Sequence, residues 1–473
     1  MKVKIELDRD NNLTPFGIAT VQDRYLDKNE TSPQHAFARA SKYVSTYRGQ
    51  TDWEMAQRIY DYASNLWFGF SSPILSNAGT KKGLPISCFL NYVPDSRGGL
   101  SSHYDENIWL ASNGGGIGGY WGHVRSDGSS TSHGSKSTGS IPFMRVVDSQ
   151  MLAFNQGTTR RGSYACYMDV SHPEIEEFLF MRKSSGGDAN RKCLNLHHGI
   201  NISDDFMTAV SKNIEWKLID PHSKKIKKSI NARELWRLIL ETRHETGEPY
   251  LHFVDTSNKH LPETQKKLGL SIKQSNLCSE ITLPTDENRT AVCCLSSVNL
   301  AKYDEWSTSP TFIPDMIRML DNVLEHFIQS TYNFSYNFEG NVLNMEVKEG
   351  MEGFTKAGYS AFRERSIGLG AMGFHTYLQK LNVPFNSPIA TGQNIKMFKQ
   401  IKELSVKTSM ELAEERGEAP DMEGTGMRNA HLLAIAPNAT SSIICGGTSP
   451  SIEPIRANAV SYTHLTLPTN REV

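Results

Sequence analysis

From Ser71-Ser72-Pro73 onward, segments with helical apolar period alternate with short β-like runs, and that alternation confines the chain to a layered α/β architecture, either a barrel or a doubly wound sheet. The clearest instance begins at Asn231, a capping residue ahead of a helical run from Ala232. Gly247 and Pro249 close that run before the strand-like segment from Tyr250 to Val254. A further helix is predicted from Pro314, with Ile317, Leu320, Leu324 and Phe327 on one side. Residues 1–70 read as a small helical region. One helix is expected over Gln34 to Val44. A second follows the capping-box pattern Thr51-Asp52-Trp53-Glu54, carries Ala56, Ile59, Tyr60, Ala63 and Leu66-Trp67 on its apolar face, and is expected to end at Gly69. The stretch from Asp127 to Ser140 is nearly all Ser, Gly, Thr, His and Lys. It cannot form a core and reads as a mobile surface loop.

The length of 473 residues, with 38% hydrophobic content, suffices for a large core, and a net charge of −1 provides no global basic field. Nucleic acid is therefore not an expected partner. The start lacks a signal-peptide core and no apolar run is long enough to span a bilayer, so a cytoplasmic chain with no membrane partner is expected. Seven cysteines (Cys88, Cys166, Cys193, Cys278, Cys293, Cys294 and Cys445) form an odd, sparse set without a C-x-x-C pair. No metal site is expected from them, and Cys166, Cys193 and Cys445 read as inert. Two glycine stretches, 114–119 and 368–373, satisfy G-x-G-x-x-G. Neither follows a convincing buried strand, so the dinucleotide fingerprint fails its context test.

The chemistry-bearing residues concentrate elsewhere. Asn276-Leu277-Cys278-Ser279-Glu280 packs an amide, a thiol and a carboxylate into five residues, and in a strand or finger-like loop alternate side chains would share one face. Taken alone, Cys278 could equally be a buried inert thiol. Ser87-Cys88 follows Gly83-Leu-Pro-Ile, and Cys293 stands in Ala291-Val-Cys-Cys-Leu-Ser-Ser297. Near the end, the run from Ala436 to Ser442 combines a proline with small hydroxyl residues. It can present N–H groups and hydroxyls to an anion or cap a helix, which are the same physics.

In this order and at these separations, Ser275-Asn-Leu-Cys-Ser-Glu-Ile281, Arg365-Ser-Ile-Gly-Leu-Gly370 and Pro437-Asn-Ala-Thr-Ser-Ser442 resemble the large (alpha) subunit of ribonucleotide reductase, from about Thr14 to about Ala459. The resemblance implies a ten-stranded α/β barrel over residues 71–459, incomplete at its C-terminal side, with a radical cysteine on a finger loop inside. It implies reduction of ribonucleotides, diphosphates foremost, to 2′-deoxyribonucleotides. Cys278 would carry the thiyl, Glu280 would act as base on the 3′-hydroxyl, and Asn276 would hold the sugar. Cys88 and Cys293 would supply the electrons, with Cys294 as an alternative to Cys293. Ser87, Gly116, Thr440, Ser441 and Ser442 would bind substrate.

The same resemblance implies effector contacts at Asp95, Ser96, Arg125, Gln156 and Arg160 for allosteric nucleoside or deoxynucleoside triphosphates. No cofactor is expected on this chain; the radical would come from the dimetal centre of a partner small (beta) subunit. Thioredoxin or glutaredoxin would be the reductant, and a homodimer is expected. The family's N-terminal ATP-cone, C-terminal tyrosine pair and cysteine tail find no counterpart, and Val460–Val473 looks like a foreign tail or else a divergent natural one. A class II, adenosylcobalamin-dependent reductase and a nucleotide-binding fragment without turnover are the alternatives.

Overall fold

The computed structural model describes residues 2–86, 88–154, 162–336 and 342–455. Its first part is helical, and each helix starts where the sequence supplies a cap. Thr14 accepts the Gly17 N–H ahead of α1 (Pro15–Arg24), Ser32 accepts that of Gln34 ahead of α2 (Pro33–Val44), and Asp52 accepts that of Met55 ahead of α3 (Trp53–Ser64). Helices α2 and α3 bury Phe37, Ala40, Val44, Ile59, Tyr60 and Ala63 in one core. Contrary to expectation, α3 stops at Asn65 and not at Gly69. The next residues form β1 (Phe68–Phe70), which pairs antiparallel with residues 296–298, so Gly69 lies inside a strand.

Beyond it the alternation unfolds as β2 (Cys88–Tyr92), α4 (Arg97–Ser112), β3 (Gly116–Tyr120), β4 (Ser163–Asp169) and β5 (His197–Ile202). A hairpin of β6 (Glu215–Ile219) and β7 (Ile226–Asn231) leads into α5 (Ala232–Thr246), capped by Asn231 and closed by Gly247 at φ 79°, and then β8 (Tyr250–Phe253). β2 to β5 and β8 are parallel, in the order β8-β5-β4-β3-β2, and β9 (Ala291–Cys293) adds antiparallel to β2. Cys294 alone separates β9 from β10 (Leu295–Asn299), which belongs to a second sheet. That sheet has the order β11-β10-β1, with β10 and β11 (Gly368–Met372) parallel. On the far side of β11, Leu433 bridges Leu369 in parallel, giving a tenth chain position beside the nine strands of the two sheets among the described residues. Helices α6 (Phe312–Thr331), α7 (Pro388–Arg416) and the short α8 (Ala439–Ile444) complete the frame. α6 buries Ile317, Leu320, Leu324 and Phe327, as its period predicts.

Most of each glycine-rich stretch lies in a strand, residues 116–119 in β3 and 368–372 in β11, and both strands are buried along their whole length. Glycine weakens a strand and marks close approach of another backbone. At Gly118 a Cβ would stand 2.1 Å from the Ser275 carbonyl oxygen, so the loop carrying Cys278 lies directly on β3. The Ser/Gly-rich stretch after Arg125 is exposed along most of its length but pinned at its ends. Buried Asp220 takes Ser126 and Ser129, and Glu174 takes Ser140. Among the described residues no helix is long and apolar enough to cross a membrane.

Candidate active site

The segment from Asn276 to Glu280 is a finger-like turn and not a strand. Asn276 is fully buried, and its side-chain oxygen accepts the backbone N–H groups of Glu280 and Ile281 at 3.0 and 3.1 Å. Ser279 takes a left-handed conformation, φ 64°, with its N–H on the Asn276 carbonyl at 3.2 Å. The turn thereby lifts Cys278, which is exposed, and Glu280 to the rim of a cavity of about 330 Å³, while Asn276 lies beneath them. Simple alternation would have put all three on one face. Two buried groups fix the base of the turn. The Tyr167 hydroxyl, rising from β4, donates to the Asn276 carbonyl at 2.7 Å, and the Ser275 hydroxyl donates to the Ile281 carbonyl at 2.6 Å. Burial pushes the Tyr167 phenol well above its ordinary value, so it stays a donor.

The remaining thiols are positioned by strand register. Cys88 opens β2, Cys293 closes β9, and the antiparallel pairing sets them directly opposite each other. Opposed residues of such a pair have Cα atoms roughly 4.5–5.5 Å apart, inside the range a disulfide spans. Both thiols line the cavity with Cys278 and Glu280. The Asn276 amide nitrogen lies 3.8 Å from the Cys88 sulfur. Burial, reinforced by Cys88 and Glu280, raises the Cys293 thiol well above its usual range, which keeps it protonated until it reacts. Cys294 faces the other way. Its sulfur points at the Leu320 carbonyl of α6 at 3.7 Å, as alternation across a strand requires. Cys166, Cys193 and Cys445 are buried, and burial raises each thiol.

The opposite wall comes from the second sheet and from α8. Thr440 and Ser441 line the cavity, but the Ser441 hydroxyl donates to the Phe70 carbonyl at 3.2 Å. Ser442 is not part of the lining; its hydroxyl donates to the Ala439 carbonyl within its own helical turn. Gly116 stands in register beside Cys88, while the cavity wall there is made by Asn113 and Gly114. Ser87, Gln156, Arg160 and the tail from Val460 lie outside the described residues. Sequence reasoning missed Tyr167, whose phenol sits in an apolar strand and looks like core. It also missed Tyr25 and Ser72, whose hydroxyls meet at 2.9 Å in the cavity wall.

Asp95, Ser96 and Arg125 gather elsewhere, beyond the C-terminal end of β2. Arg125 Nε donates to both Asp95 carboxylate oxygens at 3.0 Å, and the Ser96 hydroxyl caps α4 by accepting the Gly99 N–H. Among the described residues no cluster of His, Cys, Asp and Glu fits a metal ion.

Two family models match the chain. The ribonucleotide reductase barrel domain covers residues 86–425 and 420–466, and the ribonucleotide reductase all-alpha domain covers residues 11–83. The chain is 49% identical, over 413 residues, to the putative ribonucleoside-diphosphate reductase large subunit of Frog virus 3, covering 87% of this chain and 68% of that one. It is 42% identical, over 510 residues, to the ribonucleoside-diphosphate reductase large subunit of Invertebrate iridescent virus 3, covering 96% and 76%. Among solved structures it is similar to the Actinobacillus ureae class Id ribonucleotide reductase alpha subunit. The TM-score is 0.81 at 31% identity, over 96% of this chain and 78% of that one.

Proposed function

The chain belongs to the ribonucleotide reductase large-subunit family, and from that premise we propose that it reduces ribonucleoside diphosphates to 2′-deoxyribonucleotides as a class I catalytic subunit. The observation that carries the assignment of residues is the β2–β9 register, which opposes Cys88 to Cys293 in the cavity that Cys278 and Glu280 also line. A docked small subunit supplies the radical that Cys278 holds as a thiyl. Cys278 removes the 3′-hydrogen and later returns it, while Glu280 takes the 3′-hydroxyl proton. The Asn276 amide, fixed beneath the turn, accepts the Glu280 N–H and reaches the Cys88 sulfur, and so sets the geometry of both around the sugar. Cys88 protonates the departing 2′-hydroxyl. In balance, one ribonucleotide and two thiols give one deoxyribonucleotide, one water and the Cys88–Cys293 disulfide.

In this reading the helical residues 1–70 and the barrel residues 71–459 form one catalytic body, and Thr440 is the hydroxyl of its segment best turned toward substrate phosphate. A thioredoxin- or glutaredoxin-type dithiol restores the pair, and a homodimer carries effector sites at Asp95, Ser96 and Arg125. Peptide mapping after a single turnover with CDP and small subunit tests the assignment. A linked Cys88–Cys293 peptide is expected, and a bridge through Cys294 would overturn it.

A further inference from the structure

The β6–β7 hairpin has no part in the thiol chemistry, yet its turn is locked onto the segment that carries Arg125. Asp220, fully buried at the end of β6, accepts the Ser126 N–H at 2.9 Å, the Ser126 hydroxyl at 2.7 Å, the Ser129 hydroxyl at 2.6 Å and the Ser223 N–H at 2.7 Å. Burial works against ionising this carboxyl, but the hydrogen bonds from Ser129, Ser223 and Ser126 prevail and hold it well below the usual carboxylate range. So anchored, the turn presents two exposed basic side chains. His222 Nδ1 lies 3.3 Å from the Asp95 carboxylate, and Lys224 follows two residues later in a left-handed turn position, φ 58°. The same carboxylate takes Arg125 through both oxygens, and the Arg125 guanidinium also reaches the Ser130 carbonyl at 2.9 Å. Next to them α4 begins, and a Cβ at Gly98 would meet nothing within 4 Å, so the first turn of that helix is open at this position.

We propose that the β6–β7 turn is a wall of the effector site, with His222 and Lys224 as contacts for the phosphates of a nucleoside triphosphate. The inference rests on the reading of Asp95, Ser96 and Arg125 as effector contacts and adds residues that this reading does not contain. A sugar hydroxyl arriving at Asp95 has two occupants to displace. The two-oxygen Arg125 contact is the stronger, and the single, longer contact from His222, half-exposed, is the weaker, worth about 0–1 kcal/mol as an exposed pair. His222 therefore yields. Its imidazole is left beside the ligand, on the side of the anchored turn that also carries Lys224, where a phosphate oxygen gains a charge-assisted hydrogen bond.

Equilibrium binding of dTTP to the full chain tests this, using Arg125→Ala, His222→Ala, Lys224→Ala and the double variant of the last two, each with its thermal midpoint. Losing a hydrogen bond to a charged group weakens binding by roughly tenfold, which is the effect expected for His222→Ala. A smaller loss is expected for Lys224→Ala, with a flatter salt dependence and unchanged midpoints for both. Tripolyphosphate is expected to compete with dTTP in the wild type and to lose that competition in the double variant. If Arg125→Ala abolishes dTTP binding while the double variant binds as wild type does, the hairpin proposal is overturned and the effector reading stands. Should Arg125→Ala itself bind dTTP normally, the effector reading fails. Weakened binding accompanied by a falling midpoint would show a structural hairpin only and would also overturn the proposal.

Discussion

The two ends of β2 are built by opposite physics. At its start, around Cys88, groups are dry. Cys293 is pushed by burial toward its protonated form, and Glu364, fully buried near it, is raised to about 7 although Ser360 and Ser366 donate to it. Beyond its end, around Asp95, groups are salted. Arg125, Asp95 and His222 are paired, and Asp220 is held ionised by four donors. One strand thus separates a region where burial keeps protons on its acids from one where ion pairs are gathered. Radical and thiol chemistry needs the first, because a proton must stay on sulfur until the substrate demands it. Recognition of an anion needs the second. The usual preference of ligands for the C-terminal ends of parallel strands fits the salted end, whereas the thiols occupy the N-terminal end.

The largest effect expected at the dry end is that of Cys278→Ser. Product formation, measured with small subunit and reductant, should fall to background while CDP binding is retained. Residual turnover would remove Cys278 from its role. Next comes Gly118→Ala, which drives a methyl into the Ser275 carbonyl. Overpacking of this kind costs about 3 kcal/mol, and both denaturant midpoint and kcat should drop.

Acidity then sharpens the contrast between the ends. The folded pKa of Glu364 lies above its unfolded value, so its contribution is fully present below about pH 4.5 and is lost as pH rises through 7, by up to about 3 kcal/mol. Glu364→Gln should flatten that decline in a pH series of unfolding curves. Asp220 has the opposite sign. Its pKa is depressed, so its contribution is present above about pH 4 and is lost as pH falls, and Asp220→Asn should remove about 2 kcal/mol at neutral pH but little in acid. Equal pH responses in both variants would erase the distinction. The smallest expected effect is that of Tyr167→Phe, which deletes one buried hydrogen bond worth about 1 kcal/mol. It should lower kcat several-fold with KM for CDP unchanged, since the turn is loosened and the cavity is not.

Legibility followed the range of each interaction. The helix start at Asn231 could be read because the cap and the N–H groups it accepts lie two or three residues apart, whereas the capping box from Thr51 set the start of α3 one residue early, since Asp52 is the residue that accepts the Met55 N–H. The end of α3 was misread because Gly69 answers to residues 296–298, more than two hundred positions away. The thiols of the cavity were found through their motifs, but their opposition is a fact of register that no spacing encodes. That Cys294 turns away follows from alternation alone. The Asn276 turn defeated alternation because its side chain closes the turn with backbone N–H groups. Ser129 looked like solvent-exposed loop because the carboxylate that buries it, Asp220, is remote in sequence. Tyr167 gave no signal, since a phenol in an apolar strand has the pattern of core.

The single residue between β9 and β10 has a mechanical meaning. In the proposed reaction Cys293 stores electrons on a chain segment that continues, one residue later, as the middle strand of the neighbouring sheet. When its sulfur bonds to Cys88, β2, β9 and β10 become one covalent girder running across both sheets, and reduction unbolts it. The molecule waiting for reductant is then stiffer than the molecule waiting for substrate, and each catalytic cycle is also a cycle of tightening and release.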